Sequence, residues 1–390
     1  MKILVICQHY YPEPFRISDI CEELVRRGNE VTVVTGIPNY PMGEIYPGYE
    51  NNQKPDEIIN GVRVHRCNIH PRKKGALHRL WNYYSYSYKS KQYIKKLDSS
   101  FDVVFIYQLS PVMMANAGIK YAKKHGKKTI LYCLDLWPAS LGAGGINSGI
   151  VYKWFYRESK RVYNSVDKIL ISSKSFDEYF EREFNIKNTI YLPQYAEDAF
   201  SPEECRKDPN EYIDFMFAGN VGTAQSVDAI IRAASLCKDI SNLRWHIVGD
   251  GVELNNCKLL ADELEVPIVF HGRKPIEEMP KYYATADAML VTMKRDSAIG
   301  LTLPGKVQSY MAAGKFIIGV DFGETEKVIR SNNCGLCCNI DDPKSFAQCI
   351  REFVNMDSDD KKAIESNSYT TYKNRFSKAV FFEKLTNEIY

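Results

Sequence analysis

The stretch Asp214-Phe-Met-Phe-Ala-Gly-Asn-Val-Gly222 decides the fold, because it is typical of a buried strand that ends in glycines and runs directly into a helix. Trp245-His-Ile-Val-Gly-Asp-Gly251 repeats the pattern one strand later. Glycines at a strand end let the backbone approach a phosphate, and the helix N-terminus behind them supplies N–H donors. No GxGxxG occurs here, so the pattern favours a nucleoside diphosphate at the carboxyl ends of parallel strands over a dinucleotide.

A third stretch extends this region toward the C-terminus. Leu303-Pro-Gly-Lys-Val-Gln-Ser-Tyr-Met-Ala-Ala-Gly-Lys315 predicts a loop, a helix and a glycine C-cap, and the apolar run 316–320 after it predicts a buried strand. The region as a whole therefore reads as one nucleotide-binding half, separate from the half that begins at Met1.

Length and composition indicate a two-domain globular protein. The chain has 390 residues, of which 45% are apolar and 25% are charged. No uninterrupted apolar run of about eighteen residues occurs, and residues 1–7 form too short an apolar run for a signal peptide. We therefore expect a cytoplasmic protein without a spanning helix. The net charge of +3 does not by itself indicate a nucleic-acid binder.

The eleven cysteines are scattered along the chain, many of them in apolar strand or helix positions. This distribution is typical of reduced core thiols. Cys334-Gly-Leu-Cys-Cys338 resembles half of a metal site, but no second Cys or His pair lies at zinc-ligand spacing. We expect neither a metal nor another cofactor.

Strand and helix patterns alternate through both halves of the chain, which favours parallel sheets covered on both faces. Residues 193–210 interrupt the alternation with three prolines and several acids, and we interpret them as a linker. We therefore predict an α/β protein with two doubly wound parallel-sheet domains that face each other across a cleft. The predicted parts are residues 1–195, residues 211–365, and a C-terminal helical tail at 366–390 that packs back on the N-terminal domain.

Six motifs are spread over nearly the whole chain. They are Gln8-His-Tyr-Tyr-Pro-Glu-Pro-Phe-Arg16, Asp135-Leu-Trp-Pro138, Phe217-Ala-Gly-Asn-Val-Gly222, Ile247-Val-Gly-Asp-Gly251, Gly272-Arg-Lys-Pro275 and Pro304-Gly-Lys-Val-Gln-Ser-Tyr-Met-Ala-Ala-Gly-Lys315. Together they resemble the retaining GT-B glycosyltransferases of family 4, above all the bacterial polysaccharide branch that includes N-acetyl-L-fucosamine transferases. The resemblance implies two Rossmann-like domains, a nucleotide-sugar donor bound mainly by the second, and no metal requirement.

The chain departs from that family near its last motif, and also after Gly222, where the family often has a basic residue and this chain has Thr223-Ala-Gln225. Most members carry two glutamates spaced E-x7-E near the last motif, whereas this chain has Leu301 and Ser309 at the matching positions. The polysaccharide branch commonly reads Pro-Ser-Lys where this chain reads Pro304-Gly305-Lys306. Since the family uses a glutamate there to grip the donor ribose, the resemblance leaves the nucleotide open.

Two strand-end loops of the second half contain predicted donor-binding residues. Asn220, Gly222 and Thr223 are candidates to donate hydrogen bonds to the diphosphate, although an ordinary strand-to-helix turn has the same composition. Arg273 and Lys274 carry charges that suit a diphosphate leaving group, although adjacent basic residues are more often a solvated pair.

The predicted helix after Pro304 supplies three more donor candidates. A cation at a helix N-terminus opposes the helix dipole unless an anion lies nearby, so we predict that Lys306 binds a phosphate. Gln308 and Ser309 are the candidates for the donor ribose.

We predict three catalytic residues in the first half: Asp135, Glu13 and Arg16. Asp135 ends a buried strand, where a carboxylate can orient the acceptor hydroxyl, hold a sugar hydroxyl, stabilise positive character at the anomeric carbon or cap the next helix. Glu13 and Arg16 lie in a proline-stiffened first loop, in which His9 reads as an ordinary loop histidine. Trp137 either stacks on a sugar ring or packs in the core. The resemblance implies that the leaving diphosphate takes the acceptor proton and that the protein supplies positioning and electrostatics.

The segment 70–96 contains eight Lys or Arg residues, no acid, and interleaved Trp and Tyr residues. A basic, aromatic-rich helix suits an anionic membrane surface and a lipid-diphosphate-linked acceptor. The same composition also occurs in single-strand nucleic-acid binders and in solvated helix faces. We favour peripheral contact with the inner face of the cell membrane and do not expect a nucleic-acid partner.

These observations predict a retaining glycosyltransferase that moves an N-acetylated or deoxy sugar from a nucleoside-diphosphate sugar to a lipid-linked saccharide during O-antigen or capsule assembly. One alternative is a GT-B sugar-nucleotide epimerase, which needs acid/base carboxylates and a histidine around the donor. The other is a non-catalytic donor-binding partner in a polysaccharide assembly complex.

Overall fold

The computed structural model describes residues 1–72, 75–144 and 148–390 of the chain. The chain divides into two compact units. The first unit comprises Met1–Ser172, Phe176–Tyr191 and Glu388–Tyr390, and the second comprises Ser173–Ser175 and Leu192–Asn387.

The described part of the first unit is built on an eight-stranded sheet in the order β3-β4-β2-β1-β5-β6-β7-β8. Neighbouring strands pair in parallel, except that β3 and β4 pair antiparallel. The strands are β1 Lys2–Ile6, β2 Glu30–Gly36, β3 Asp56–Ile59, β4 Val62–Cys67, β5 Val103–Gln108, β6 Lys128–Cys133, β7 Lys168–Ile171 and β8 Thr189–Tyr191. The helices are α1 Ile17–Arg26, α2 Ala76–Tyr93, α3 Asn116–His125, α4 Gly149–Tyr163 and α5 Phe176–Phe184.

The parallel pairing brings the functional loops of this unit to one edge of the sheet. The central strands β1 and β5 are almost completely buried, because helices cover both faces of a parallel sheet. Parallel strands also end on the same side. The loops that begin at residues 7, 37, 68, 109 and 134 therefore all leave the carboxyl edge of this sheet.

The described part of the second unit is built on a six-stranded parallel sheet in the order β11-β10-β9-β12-β13-β14. The strands are β9 Ile213–Ala218, β10 Leu243–Val248, β11 Ile268–Gly272, β12 Ala288–Val291, β13 Phe316–Val320 and β14 Gly335–Cys338. The helices are α6 Asp228–Ser235, α7 Leu254–Glu263, α8 Met279–Tyr283, α9 Ser297–Gly300, α10 Gly305–Ala312, α11 Gly323–Ser331, α12 Pro343–Asn355, α13 Ser358–Thr371 and α14 Lys378–Ile389.

Strand β9 shows why this second sheet is apolar throughout. Phe215 and Phe217 pack into one core cluster of the unit, whereas Met216 and Ala218 pack into another. Successive side chains of a strand point to opposite faces, so a strand covered on both sides must be apolar at every position. The prediction of two parallel-sheet domains and the predicted position of β9 are therefore confirmed.

Residues 193–210 do not form a free linker. Ala196, Phe200 and Cys205 are buried in a core cluster of the second unit, and the ring of Phe200 stacks on Tyr283 at 4.8 Å. The prolines and acids of this segment suggested a linker, but its apolar residues fold onto the second unit.

The C-terminal tail also divides differently from the predicted boundary at residue 366. Residues up to Asn387 group with the second unit, whereas Glu388–Tyr390 group with the first. Within the first unit, Lys128 Nζ donates to the carbonyl oxygen of Glu388 at 2.9 Å, and Asn29 Nδ2 donates to the hydroxyl oxygen of Tyr390 at 2.9 Å.

No helix within the described residues combines the length and the apolar character needed to cross a bilayer. The eleven cysteines are free thiols, and all are buried except Cys337, which is partly exposed. Burial raises the pKa of Cys337 to about 12 and that of Cys257 to about 11. The cysteines are therefore core thiols, as their positions in the sequence predicted.

Candidate functional site

The strand-end loops of the second unit are fastened to each other by backbone hydrogen bonds. Gly219 N donates to Val248 O, Gly249 N donates to Gly272 O, and Val221 N donates to the carbonyl oxygen of Asp250, each at 2.9 Å. A Cβ on Gly249 would lie 1.8 Å from Gly219 O, and one on Gly251 would lie 2.3 Å from Val221 O. Gly249 and Gly251 are therefore required because these loops pack so closely together. The prediction had given a different reason for them, namely that glycines let the backbone approach a phosphate.

Lys306, in the first turn of α10, points back beneath the turn that follows β9. Its Nζ lies 3.6 Å from the centroid of the Phe217 ring and 3.0 Å from the position that a Cβ on Gly219 would occupy. Nζ is shielded from solvent and has no hydrogen-bond partner in the described ranges 1–72, 75–144 and 148–390. Burial lowers the pKa of Lys306 to about 7. Since a buried cation without hydrogen bonds is costly, this ammonium group gains stability from any anion that reaches it.

Gln308 and Ser309 also lie on α10, and their side chains form hydrogen bonds with other residues of the second unit. The Gln308 amide, oriented with Nε2 toward the helix start, donates to Pro304 O at 2.8 Å and to Gly305 O at 3.2 Å. Ser309 Oγ lies 3.3 Å from Gly305 O and 3.4 Å from Glu197 Oε2. Glu197 belongs to the segment that was interpreted as a linker. Its carboxylate therefore lies beside Ser309, the position that matches a glutamate in most members of the family.

Arg273 and Lys274 follow β11 at the same edge of the sheet. Arg273 is exposed, and it forms no hydrogen bond or ion pair with any residue that the structure describes. Lys274 Nζ lies 5.4 Å from the centroid of the Tyr282 ring, and its hydrogen bond with Tyr282 raises the pKa of Lys274. Of the two, Arg273 has its charge free for a ligand.

Asn220, Gly222 and Thr223 form the turn between β9 and α6. Asn220 Nδ2 donates to Gln225 Oε1 at 3.1 Å, and a Cβ on Gly222 would lie 2.6 Å from Asn220 Nδ2. A side chain at position 222 would therefore displace the Asn220 amide from its place across the turn. Asn220 and Thr223 are exposed and remain able to meet a ligand.

A cavity of about 520 Å³ opens beside Gly222 and Thr223, between α6 and α7. Its wall contains the carboxylates of Asp228, Glu253 and Glu263 against a single cation, Arg232. This acidic wall repels a diphosphate, so the side of the turn that faces Lys306 is the better place for one.

The first unit holds the candidate catalytic residues, and Glu13 is the most enclosed of them. Its carboxylate accepts from His9 Nδ1 at 3.0 Å, Tyr10 N at 3.2 Å, Asn39 N at 2.9 Å and Tyr40 N at 2.7 Å. Glu13 is buried, and these four donors use its lone pairs to join the loop after β1 to the loop after β2. Glu13 therefore serves as a scaffold in this structure, and it fixes the ring of buried His9.

Asp135 lies two residues beyond the end of β6 and is held by the loop after β5. Asp135 Oδ2 accepts from the backbone N of Ser110 at 3.0 Å and from Ser110 Oγ at 2.9 Å. Burial raises the pKa of Asp135, while the hydrogen bonds from Ser110 and the charge of Arg72 oppose the rise. The carboxylate bonds Ser110 rather than capping the following turn.

Trp137 is buried beneath two helices and fixes the same serine. Trp137 Nε1 donates to Ser110 Oγ at 2.7 Å. The Trp137 ring packs edge-on against Tyr83 of α2 and against Phe155 of α4, with centroid distances of 6.5 and 5.1 Å. Of the two roles considered for Trp137, the structure supports the core role.

Two arginines bring positive charge to this edge of the first sheet. The Arg72 guanidinium lies 5.5 Å from the Tyr40 ring and 5.9 Å from the Tyr83 ring, and its charge acts on Asp135. Arg16 immediately precedes α1, and its charge opposes the effect of burial, which raises the pKa of Tyr107. Arg72 was counted only as part of the basic segment 70–96, yet it belongs with Asp135.

The basic segment itself lies largely on α2. Lys73 and Lys74 are outside the described residues, as is the side chain of Arg79. Lys89, Lys95 and Lys96 are exposed. The helix predicted within this segment is therefore present.

Sequence reasoning missed Ser110, the inward position of Arg72, and Glu197. Ser110 lies just past the end of β5, so the rule that strand-end loops carry function could have found it. Nothing in the local sequence places Glu197 beside Ser309, because their contact depends on how a chain segment more than one hundred residues away folds back.

Comparison with protein families gives each half of the chain a match. Residues 16–192 match the family described as Glycosyltransferase Family 4, and residues 203–370 match the family described as Glycosyl transferases group 1. The chain is a family 4 glycosyltransferase. Two curated relatives agree with this assignment. The probable glycosyltransferase WbjE of Pseudomonas aeruginosa is 26% identical over 246 residues, which cover 60% of this chain and 61% of WbjE.

The second relative is the putative colanic acid biosynthesis glycosyl transferase WcaI of Escherichia coli strain K12. It is 26% identical over 342 residues, which cover 80% of this glycosyltransferase and 82% of WcaI. The chain thus spans about three fifths of WbjE and most of WcaI.

Solved structures establish the fold of the glycosyltransferase as GT-B. Sucrose-phosphate synthase from Thermosynechococcus elongatus superposes with a TM-score of 0.79 at 15% identity, covering 99% of this chain and 97% of that one. Anabaena HepE, solved in complex with UDP and glucose, superposes with a TM-score of 0.72 at 13% identity, covering 100% and 99%. At these identities the likeness concerns the fold alone.

Within the described residues, no group of three or more His, Cys, Asp or Glu side chains is arranged to hold a metal ion. The expectation that the glycosyltransferase works without a metal remains a prediction, which a chelator can test.

Proposed function

We propose that this protein is a retaining transferase that moves a sugar from a nucleoside-diphosphate sugar to a lipid-linked saccharide in surface polysaccharide assembly. The observation that carries the proposal is Lys306, a shielded ammonium group without a hydrogen-bond partner among the described residues, directly beneath the turn after β9. An unpaired buried cation is the counterpart that a diphosphate requires.

The donor diphosphate binds, in this proposal, at the carboxyl edge of the second sheet. Lys306 supplies a charge-assisted hydrogen bond, and the first turn of α10 supplies backbone N–H groups that the helix leaves unpaired. Exposed Arg273 adds a second cation as negative charge develops on the leaving diphosphate. Asn220 and Thr223 contribute polar contacts from the turn after β9.

We assign recognition of the donor ribose to Glu197 together with Ser309. A carboxylate accepts hydrogen bonds from sugar hydroxyls, and Glu197 Oε2 lies 3.4 Å from Ser309 Oγ. Gln308 takes a structural role instead, since its amide is bonded to the start of its own helix.

The acceptor binds at the carboxyl edge of the first sheet, and Asp135 orients its hydroxyl group. The raised pKa of Asp135 and its two hydrogen bonds from Ser110 support this assignment, because they fix a carboxylate of increased basicity. Arg72 supplies positive charge beside Asp135, Arg16 supplies positive charge near Tyr107 of the same sheet, and Glu13 holds the loop that carries His9. The leaving diphosphate takes the acceptor proton, so no nucleophile from the protein is required.

The relatives support the polysaccharide context, since WcaI is described as a colanic acid biosynthesis transferase. The nature of the donor sugar, which we expect to be N-acetylated or deoxy as in the N-acetyl-L-fucosamine transferases, rests on the sequence resemblance. HepE, a fold neighbour, binds UDP, so UDP-sugars are the first donors to test.

A lipid-linked acceptor requires contact with the inner face of the membrane, and we assign this contact to the segment 70–96. Exposed Lys89, Lys95 and Lys96 support the assignment, whereas Arg72 is turned toward Asp135 and is excluded from it. Exposed cations near an anionic surface each contribute about 1 kcal/mol of attraction.

The test is a thermal-shift screen against UDP-, GDP- and dTDP-sugars, followed by turnover with the donor that stabilises the protein most. We expect a product whose anomeric configuration matches that of the donor by NMR, with turnover unaffected by EDTA. An inverted product would contradict the retaining course. Formation of an epimerised nucleotide sugar would identify an epimerase, and donor binding without any turnover would identify a non-catalytic partner.

A further inference from the structure

Two helices of the first unit expose large apolar side chains. On α2 the exposed fractions are 64% for Trp81, 44% for Tyr84 and 58% for Tyr88. On α4 they are 87% for Ile150, 53% for Val151 and 44% for Trp154. Scattered exposed apolar residues are ordinary, but a contiguous set marks an interaction surface. The apolar ridge is defined as Trp81, Tyr84, Tyr88, Ile150, Val151 and Trp154.

The two halves of the apolar ridge meet at Tyr84 and Trp154, whose ring centroids lie 6.1 Å apart. Glu158, one turn beyond Trp154, acts electrostatically on both Tyr84 and Lys91. Residues later on α2 therefore face residues later on α4, and the helices run in the same direction where they meet. Trp81 and the pair Ile150 and Val151 each lie one turn earlier, so they project from the same end.

The apolar ridge rests on the packing that holds Asp135. Phe155 of α4 contacts both Trp154 and Trp137, with ring centroids 4.9 and 5.1 Å apart. Trp137 in turn holds Ser110, which donates to Asp135. Helix α4 thus carries part of the apolar ridge on its exposed side, and its buried side packs through Phe155 against Trp137, which holds Ser110 beside Asp135.

Cations surround the apolar ridge on both helices. Helix α2 carries no acid, and Glu158 is the one acid of α4 in the sequence. Glu158 is paired with Arg161 at the hydrogen-bonding distance of 3.0 Å and also accepts from Asn116. The remaining charges on the two helices include exposed Lys89, Lys153, Arg157 and Lys160. This combination of charge and apolar surface complements an anionic lipid bilayer.

We propose that the apolar ridge inserts into an anionic bilayer, with Ile150 and Val151 of α4 as the side chains that enter the acyl region. The proposal rests on the proposed function, to which it adds a second helix and a hydrophobic insertion step. Aromatic side chains suit the headgroup level, and aliphatic side chains suit the apolar layer beneath it. Ile150 and Val151 offer no ring for a base to stack on, which favours lipid over single-stranded nucleic acid.

The test measures co-sedimentation of the full-length protein with phosphatidylglycerol–phosphatidylcholine vesicles, at low and at high salt. The insertion variant is Ile150→Ser with Val151→Ser. The matched control is Ile58→Ser with Val252→Ser, since these side chains are 73% and 80% exposed outside the apolar ridge. A charge variant replaces Lys89, Lys95 and Lys96 by Ser. Donor binding is followed by thermal shift in every variant, which separates failure of docking from failure of the transferase.

We expect the insertion variant to bind vesicles roughly tenfold more weakly than the wild type or the matched control, at both salt concentrations. The charge variant should lose binding mainly at low salt, because salt screens electrostatic attraction. Donor binding should stay unchanged in all variants. Vesicles should also shift the emission of exposed Trp81 and Trp154 to shorter wavelength, a change that Trp154→Phe reduces.

Equal vesicle binding by the insertion variant and the wild type would overturn the proposal, as would absence of wild-type binding and of any emission shift. Binding of an oligothymidine probe without binding of vesicles would assign the surface to nucleic acid instead. In each of these cases, intact donor binding would leave the transferase assignment standing.

Discussion

Glu13 of the first unit and Lys306 of the second each hold a charged group, shielded from solvent, at the carboxyl edge of a sheet, and the two groups differ in their partners. In the first unit the carboxylate of Glu13 accepts from four donors. In the second unit the ammonium group of Lys306 has no hydrogen-bond partner among the described residues. A satisfied buried charge holds loops together, whereas an unsatisfied one stores free energy that a ligand can release. The hydrogen-bond partners of a buried charged group therefore distinguish a structural residue from a ligand-binding one, which residue type and position in the sequence do not.

The largest effect expected from a single substitution is that of Asp135→Asn on turnover. We propose that Asp135 orients the acceptor hydroxyl while the leaving diphosphate takes its proton, and misplacing a reacting group can cost about 10²-fold. We expect a loss of at least about that size while donor affinity stays unchanged. Initial rates and donor titrations measure the two quantities. Ser110→Ala is the matched variant, with a smaller loss because the Ser110 backbone N–H remains. Near-normal turnover by Asp135→Asn would remove Asp135 from the reaction.

Lys306→Met should weaken donor binding by about ten- to hundredfold, the value of one charge-assisted hydrogen bond to a phosphate. Because an unpaired buried cation is removed, the melting temperature without donor should stay the same or rise. Lys315→Met is the control, since Lys315 is also buried but its Nζ donates to Ala286 O at 2.7 Å. We expect Lys315→Met to lower the melting temperature and to leave donor affinity intact. If Lys315→Met weakened donor binding and Lys306→Met did not, Lys306 would not be the lysine that binds the donor.

Glu13→Ala should act mainly on stability. Removing the carboxylate leaves the backbone N–H groups of Asn39 and Tyr40 without their acceptor, at about 1–3 kcal/mol for each buried group left unpaired. A fall of several degrees in the melting temperature is expected, with donor affinity unchanged. The exposed Glu50 provides the control Glu50→Ala, which should leave the melting temperature within about a degree. Normal stability with abolished turnover would instead make Glu13 a catalytic residue.

The smallest effect is expected for Gly305→Ala, because no heavy atom lies within 4 Å of the position of its new Cβ. Melting temperature and donor affinity should both be unchanged. Gly249→Ala is the contrasting variant, since its Cβ would overlap Gly219 O at 1.8 Å. It should not fold normally, as judged by circular dichroism. Loss of donor binding by Gly305→Ala would show that the ligand approaches the start of α10 more closely than the account assumes.

The sequence predicted the central strands of both sheets because most of them are apolar runs bounded by turn residues. It did not predict β3, β8 and β14, which are short edge strands with partly exposed residues and therefore lack that signature. Helices α5, α9, α11 and α13 were missed as well. The linker interpretation of 193–210 failed because prolines and acids are local signals, whereas the burial of Phe200 depends on its packing against Tyr283.

For the candidate site, the sequence likewise predicted individual residues but not the partners that surround them. Strand-end position identified Asp135, and the conflict of a lysine with the helix dipole identified Lys306. Whether a polar group is already satisfied depends on residues distant in sequence, so the partners of Glu13 in the loop after β2 could not be read from its own loop. The same limit applies to Arg72, whose position beside Asp135 follows from the tertiary structure.

The most direct test of the account is the uptake of a proton when the donor binds. Without ligand, burial lowers the pKa of Lys306 to about 7, and an adjacent diphosphate must raise it. Below about pH 7 the lysine is already charged, so donor affinity should not depend on this group; above that pH the affinity should fall by up to about tenfold per unit. Nucleotide sugars are the ligands of choice, because they lack the terminal phosphate group that titrates near pH 6.

The measurement is isothermal titration calorimetry at about pH 8, in buffers of different ionisation enthalpy, with the nucleotide sugar that the thermal-shift screen selects. The account predicts uptake of close to one proton per donor bound by the wild type. It predicts almost no uptake by Lys306→Arg, whose guanidinium is charged throughout. Donor binding by the wild type without proton uptake would contradict the claim that Lys306 is the unpaired cation that receives the diphosphate.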